Sequence, residues 1–219
     1  MRKIRVATFI SLDGVMQAPG GPDEDPTGGF TFGGWTTSYW DETLGSLMGQ
    51  AMGEDFDLLL GRKTYEIFAA HWPYVDDEIG RKFNAITKYV AAGPDQPLDW
   101  TGTERLEGDV AEAVARLKQG AGKDLLIQGS SVLIQTLLAA DLIDEITTLV
   151  FPVTLGLGKR LFGDGARARA FTLSHTRHSS TGVVVSTYQR AGDVPLGSFA
   201  LETPTDAEVA RRERMKREG

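Results

Sequence analysis

Leu58-Leu59-Leu60 stands between Asp57 and Gly61, and this run of three leucines constrains the chain more than any other stretch. Successive side chains on a strand point to opposite faces, so leucine at every position demands cover on both. Gly61 ends the run, and Arg62-Lys63-Thr64 leads into Tyr65 and Phe68 at helical spacing. The segment is a doubly buried strand passing through a glycine into a helix. Such a junction exposes unpaired backbone N–H groups and the positive end of the helix dipole, to which Arg62 and Thr64 add donors, so it suits a phosphate. A plain glycine turn with a capping threonine would leave the same trace.

The pattern recurs. Asp124 to Gln128 is a compact apolar strand that runs into Gly129-Ser130-Ser131 and then an apolar helix from Val132 to Ala140, with Ser130 placed as its N-cap. Two such junctions in one chain are a stronger sign of a diphosphate ligand than either alone. Around them strands and helices alternate. Strands are expected over residues 4–11, 58–60, 88–92, 124–128 and 144–153, with a weaker one within 100–106, and helices over 39–52, after Gly61 to about 71, 78–85 and 109–119. Residues 170–176 and 182–190 close the chain as a pair too near in sequence to hold a helical crossover, hence antiparallel. This order predicts an α/β fold, with a largely parallel sheet covered by helices on both faces and antiparallel strands at one edge.

Asp13-Gly14 ends the first strand and opens a segment to Thr37 that holds seven glycines and three prolines. A loop of this length inside a compact domain is usually a lid or binding loop. The alternative is a disordered excursion, but Phe30, Phe32 and Trp35 are costly to leave in water and argue that its end packs. Ser38-Tyr39-Trp40-Asp41 follows as a variant capping box. Asp41, a carboxylate beside Tyr39 and Trp40, is either the acidic member of that box or a group whose burial raises its pKa for proton transfer; Glu42 is next in line.

Composition removes several classes. With a formal charge of -7 and a pI near 5.0, the chain lacks the concentrated basic surface that a nucleic-acid backbone requires. Without cysteines it has no disulfides, thiolate metal sites or cysteine nucleophiles. Its three histidines are not at metal-binding spacing, since His175 and His178 fall on opposite faces of a strand. No apolar run approaches the roughly 18 residues that span a bilayer, and Met1-Arg2-Lys3 leads directly into a strand, so a cytoplasmic location without a membrane partner is expected. Residues 193–219 form a charged extension after a main domain of residues 1–192. Its end alternates acid and base and is expected as a solvated helix.

Five motifs in order resemble one family: Ser11-Leu12-Asp13-Gly14-Val15-Met16, Gly61-Arg62-Lys63-Thr64-Tyr65-Glu66, Gly129-Ser130-Ser131, Leu142-Ile143-Asp144-Glu145, and Pro152-Val153-Thr154-Leu155-Gly156 with Gly158. Over residues 2–190 the chain is similar to the dihydrofolate reductase-like superfamily, and most of all to the reductase domain of the riboflavin-biosynthesis deaminase-reductase and its stand-alone relatives. The resemblance implies a three-layer α/β/α fold, NADPH as cofactor, hydride transfer to a pterin or ribosylaminopyrimidine-like heterocycle, and a homodimer. It implies that Gly61, Arg62, Lys63 and Thr64 touch the cofactor phosphates and that Gly129, Ser130 and Ser131 sit at the pyrophosphate. Asp13, Gly14, Val15 and Met16 would begin the lid, and residues 35–41, with Trp35, Tyr39 and Trp40, would line the substrate cavity.

The chain departs from that family in two places. Val90-Ala91-Ala92-Gly93 stands where relatives carry serine and arginine for the adenosine 2'-phosphate, which leaves Arg62 and Lys63 for that charge and keeps NADH open. The pyrophosphate turn is Gly-Ser-Ser rather than Gly-Gly-x. A nucleotide-binding module that keeps this fold without catalysis is the competing function.

Overall fold

The leucine run becomes the middle of a sheet. The computed structural model describes residues 1–163 and 166–218, and their elements run β1 (Ile4–Ser11), α1 (Glu42–Met52), β2 (Phe56–Gly61), α2 (Arg62–His71), α3 (Glu78–Ala85), β3 (Lys88–Ala91), β4 (Thr103–Arg105), α4 (Val110–Gln119), β5 (Asp124–Ile127), α5 (Ser131–Ala139), β6 (Glu145–Phe151), β7 (Ala170–His178), β8 (Val184–Gly192) and α6 (Asp206–Glu218). The eight strands form one sheet in the order β4-β3-β2-β5-β1-β6-β8-β7. All neighbours are parallel except β6 with β8 and β8 with β7. This is the expected mostly parallel sheet with an antiparallel C-terminal edge.

Alternation along each strand divides the core into two layers. Leu58 and Leu60 pack with Leu44, Met48 and Met52 of α1, Tyr65 of α2 and Phe83 of α3, whereas Leu59 points the other way, to Ala113 and Val114 of α4 and Leu133, Ile134 and Leu137 of α5. All three leucines are fully buried. At about 1.5–3 kcal/mol for each buried leucine, covering both faces of this one strand offsets much of the entropy of ordering it. On β1, Ile4, Val6 and Ile10 take the α4–α5 side and Ala7 and Phe9 the other.

Some boundaries differ from expectation. The helix expected over 39–52 begins at Glu42, because Thr37–Tyr39 is a separate 3-10 turn and Asp41 takes the N-cap. Ser130 stands at the N-cap of α5, but its side chain makes no capping bond. β3 ends at Ala91, and α6 has no buried residue.

One buried cation carries a pH consequence. Lys88 is fully buried in β3 and donates to the carbonyls of Asn84, at 3.0 Å, and Thr101, at 2.9 Å. Its Nζ also lies 4.5 Å from the Trp100 ring centroid. Asn84 is in the last turn of α3, where a cation complements the dipole. No carboxylate is among these partners, and burial pushes the ammonium from its ordinary 10.5 down to about 8. The unfolded chain therefore keeps this proton up to about pH 10.5 and the folded chain only to about 8. The cost of burying the charge is complete below pH 8 and disappears as pH rises through 10.5, so stability rises across that window. We expect Lys88→Met to be more stable than wild type at pH 7 by about 2 kcal/mol, and the two to converge by pH 10.5. Urea unfolding at several pH values measures this; parallel profiles would show that Lys88 is not the titrating group.

Candidate active site

The two glycine junctions meet. An added Cβ on Gly61 would lie 2.0 Å from the Ser130 Oγ, and one on Gly129 would lie 2.8 Å from the Thr64 Oγ1. Each junction thus occupies the space that a side chain on the other would need. Gly61 has φ -79°, open to any residue, so close approach and not backbone freedom is what requires glycine there.

The helices behind these junctions differ from their neighbours. α1, α3 and α4 are capped by Asp41, Asp77 and Asp109, and each has a glutamate in its first turn. α2 and α5 have no side-chain cap bond and no acid in the first turn. Their positive ends carry no acid of their own where the two come together, at the carboxyl ends of the parallel strands.

Between the junctions and the long loop lies a cavity of about 1120 Å³. Gly61, Arg62, Lys63 and Thr64 line it from one side and Gly129, Ser130 and Ser131 from another. β1 contributes Ala7, Thr8 and Phe9 from its middle, Gln128 follows the end of β5, and the long loop covers the cavity with residues 16–25. Trp40, Met48, Phe68 and Phe83 form an apolar part of the wall. Such a space, apolar with a few convergent polar groups, is what a small-molecule site requires. Arg62 Nη1 is held at the rim by both Glu66 oxygens at 2.9 Å.

Other expected site residues lie elsewhere. Of Asp13, Gly14, Val15 and Met16 only Met16 lines the cavity. Asp13 accepts from the Ser11 hydroxyl at 2.6 Å and from the N–H groups of Leu155 and Gly156, contacts that hold its carboxyl down near 2. It ties the end of β1 to the loop after β6. Gly14 takes φ +81° in the turn between them, and Val15 pairs with Arg160 and is fully buried. Of residues 35–41, only Trp40 lines the cavity. Trp35 donates to the Gln17 carbonyl at 2.8 Å and meets Phe151 edge-on, and Tyr39 packs on the same ring. Their aromatic surface goes to anchoring the loop.

Asp41 takes the capping alternative of its two expected roles. One oxygen accepts from the Leu44 N–H at 2.6 Å and the other from the hydroxyl and N–H of Ser180 at 2.6 and 3.1 Å. The Ser180 hydroxyl, followed by the Leu44 N–H, lowers its pKa, the opposite of what the buried-acid alternative requires. Burial pushes up the pKa of Glu24 on the cavity wall.

Lys159, Gln17 and Phe9 on the cavity wall were not expected as site residues. Lys159 had a signal, the basic pair after Gly156-Leu157-Gly158; Gln17 and Phe9 had none, since only the fold turns them inward. Among the described residues, no helix is long and apolar enough to cross a membrane.

Comparison with known proteins agrees with this geometry. A family model described as the RibD C-terminal domain matches residues 2–185. The uncharacterized protein YyaP of Bacillus subtilis is 26% identical over 200 residues, covering 87% of this chain and 96% of its own. Among solved structures, a pyrimidine reductase-like protein from Corynebacterium diphtheriae superposes with a TM-score of 0.60 at 14% identity, over 88% of this chain and 93% of its own. Dihydrofolate reductase from Enterococcus faecalis, complexed with NADP(H), superposes with a TM-score of 0.53 at 16% identity, over 85% and 96%. The fold is therefore dihydrofolate reductase-like.

Proposed function

Because the chain belongs to the RibD C-terminal domain family, we propose that it is an NADPH-dependent reductase that transfers hydride to a small heterocycle of the pterin or ribosylaminopyrimidine class. The observation that carries this reading is the meeting of two uncapped helix N-termini on one cavity beneath a long loop. Two negative phosphates would be held there by backbone N–H groups of the two junctions, with Thr64, Ser130 and Ser131 as nearby hydroxyl donors. The close packing of Gly61 on Ser130 and of Gly129 on Thr64 supports this fit, since it brings both helix ends to one ligand.

When bound, the nicotinamide supplies the hydride, and the protein's part is to orient two rings and exclude water. Phe9 and Trp40, edge-on at 5.8 Å, supply an apolar corner for a ring, and residues 16–25 of the loop close over it. Asp41 acts in this reading as the cap of α1. A homodimer and a cytoplasmic location complete the proposal.

NADPH at 100 times its Kd should raise the melting temperature by roughly 5–10 °C in a chain of this size. No shift with either NADPH or NADH would end the reading, and a shift without oxidation in the presence of pterins or ribosylaminopyrimidines would favour a nucleotide-binding module. Arg62 is the rim cation for the 2'-phosphate. Arg62→Ala should weaken NADPH about tenfold or more, as loss of a charge-assisted contact does, and NADH by less than about twofold. Equal losses in parallel titrations would show that Arg62 does not read that phosphate.

A further inference from the structure

Lys63, in the first turn of α2, and Lys159, in the loop after β6, converge on one point of the cavity wall with Asp25 between them. Lys159 Nζ is ion-paired with Asp25 Oδ2, Lys63 Nζ is 3.8 Å from Oδ1, and both ammonium groups donate to the Thr27 hydroxyl, at 2.9 and 3.1 Å. The nearby Lys159 lowers the pKa of Lys63, as expected for two cations that share one carboxylate. Arg62 adds to the positive charge beside Lys63, although it is itself paired with Glu66.

Asp25 is held there from behind. Gln17, 4% exposed, donates to the carbonyls of Asp25 and Thr27, each at 2.9 Å, and accepts from the Lys159 N–H at 3.0 Å. A single side chain thus stitches the long loop to the loop after β6, and the carboxylate is delivered to the lysines by an anchored backbone.

Two ammonium groups against one carboxylate leave one positive charge uncompensated beside the junction of β2 and α2. A diphosphate with two negative charges would balance the lysines with Asp25 gone. With Asp25 still in place the same group of charges would carry a net negative charge, with like charges in contact. We infer that Lys63 and Lys159 form a seat for the dinucleotide's diphosphate and that Asp25 is a built-in competitor, occupying the seat in the unliganded chain and swinging out when the ligand enters. This rests on the dinucleotide reading given above. Entry of the ligand then loosens residues 25–27 from α2, so binding is coupled to movement of the loop that covers the cavity.

Fluorescence titration of the full-length chain with NADPH, and with inorganic pyrophosphate as competitor, tests the inference. Asp25→Asn should tighten both ligands about tenfold, the equivalent of one charge-assisted contact no longer competing, and Lys159→Gln should weaken both by a similar factor. Wild type that binds NADPH, with Asp25→Asn binding no more tightly, would overturn the competitor and leave the reductase reading intact. Unchanged affinity in Lys159→Gln would overturn the seat, a result that stands even if Asp25→Asn does not fold. Wild type that binds neither ligand would remove both readings.

Discussion

Gly61→Ala is expected to weaken NADPH binding about tenfold or more, because the added methyl pushes apart the two junctions proposed to hold one diphosphate, and one charge-assisted contact is worth about that much. The added methyl would sit 2.0 Å from the Ser130 Oγ and 3.2 Å from its Cβ, so the hydroxyl has to swing aside and the two junctions have to part by a few tenths of an ångström, while the Leu133 Cβ at 3.6 Å is an ordinary contact. Backbone strain plays no part, since φ at Gly61 is already one that alanine adopts. The loss should therefore be reversible from the other side of the contact. Gly61→Ala combined with Ser130→Gly removes the clashing side chain and should bind as tightly as Ser130→Gly alone. Titrations of these variants separate the explanations: an unrescued double variant would mean that Gly61 matters for some reason other than close approach. Overpacking should also cost about 1–3 kcal/mol of stability, visible in the melting temperature of the single variant.

Arg2→Met should destabilise the fold by about 3–5 kcal/mol, the usual cost of leaving one member of a buried ion pair alone. Arg2 is 4% exposed at the end of the sheet opposite the cavity. Its Nη2 is 2.6 Å from Asp57 Oδ2, its Nε donates to the Lys123 carbonyl, and its guanidinium lies 5.1 Å from the Tyr89 ring centroid. It joins the starts of β1, β2 and β5 and the ring on β3. For a chain of this length the loss is a fall of roughly 6–20 °C in melting temperature. Replacing both partners, Arg2→Met with Asp57→Leu, should return much of it, because no unpaired charge is then left buried. Urea unfolding of the single and double variants decides the matter; a single-variant loss below about 1 kcal/mol would show that the pair contributes no more than a surface bridge.

The two largest effects differ in how far they were legible. Gly61 could be read as the end of a buried strand and the start of a helix from neighbouring residues alone, and so could Gly129, because both patterns are local. Arg2 could not: nothing near Met1-Arg2-Lys3 indicates a buried cation, since its carboxylate is 55 residues away and comes near only when β1 and β2 are set on either side of β5. Asp41 shows the same limit. Its sequence context fitted a cap or a buried acid equally well, and the choice depended on Ser180, which β8 and the turn before it bring from 139 residues away. Lys159 and Asp25 also meet across a separation that no motif spans.

Periodicity and glycine placement by themselves determined the α/β architecture, the two helix N-termini offered to an anion, and the long loop after the first strand, for each is fixed by residues within a few positions of one another. The tertiary structure decided which residues face the cavity. It turned Trp35 and Tyr39 into anchors, kept Trp40 on the wall, made Asp13 a tie between loops and set Asp25 between two lysines. A strand or loop side chain acquires its partners from elements far away in the chain, and hydrogen bonds and charge pairs of that kind exist only once the sheet order has brought those elements together.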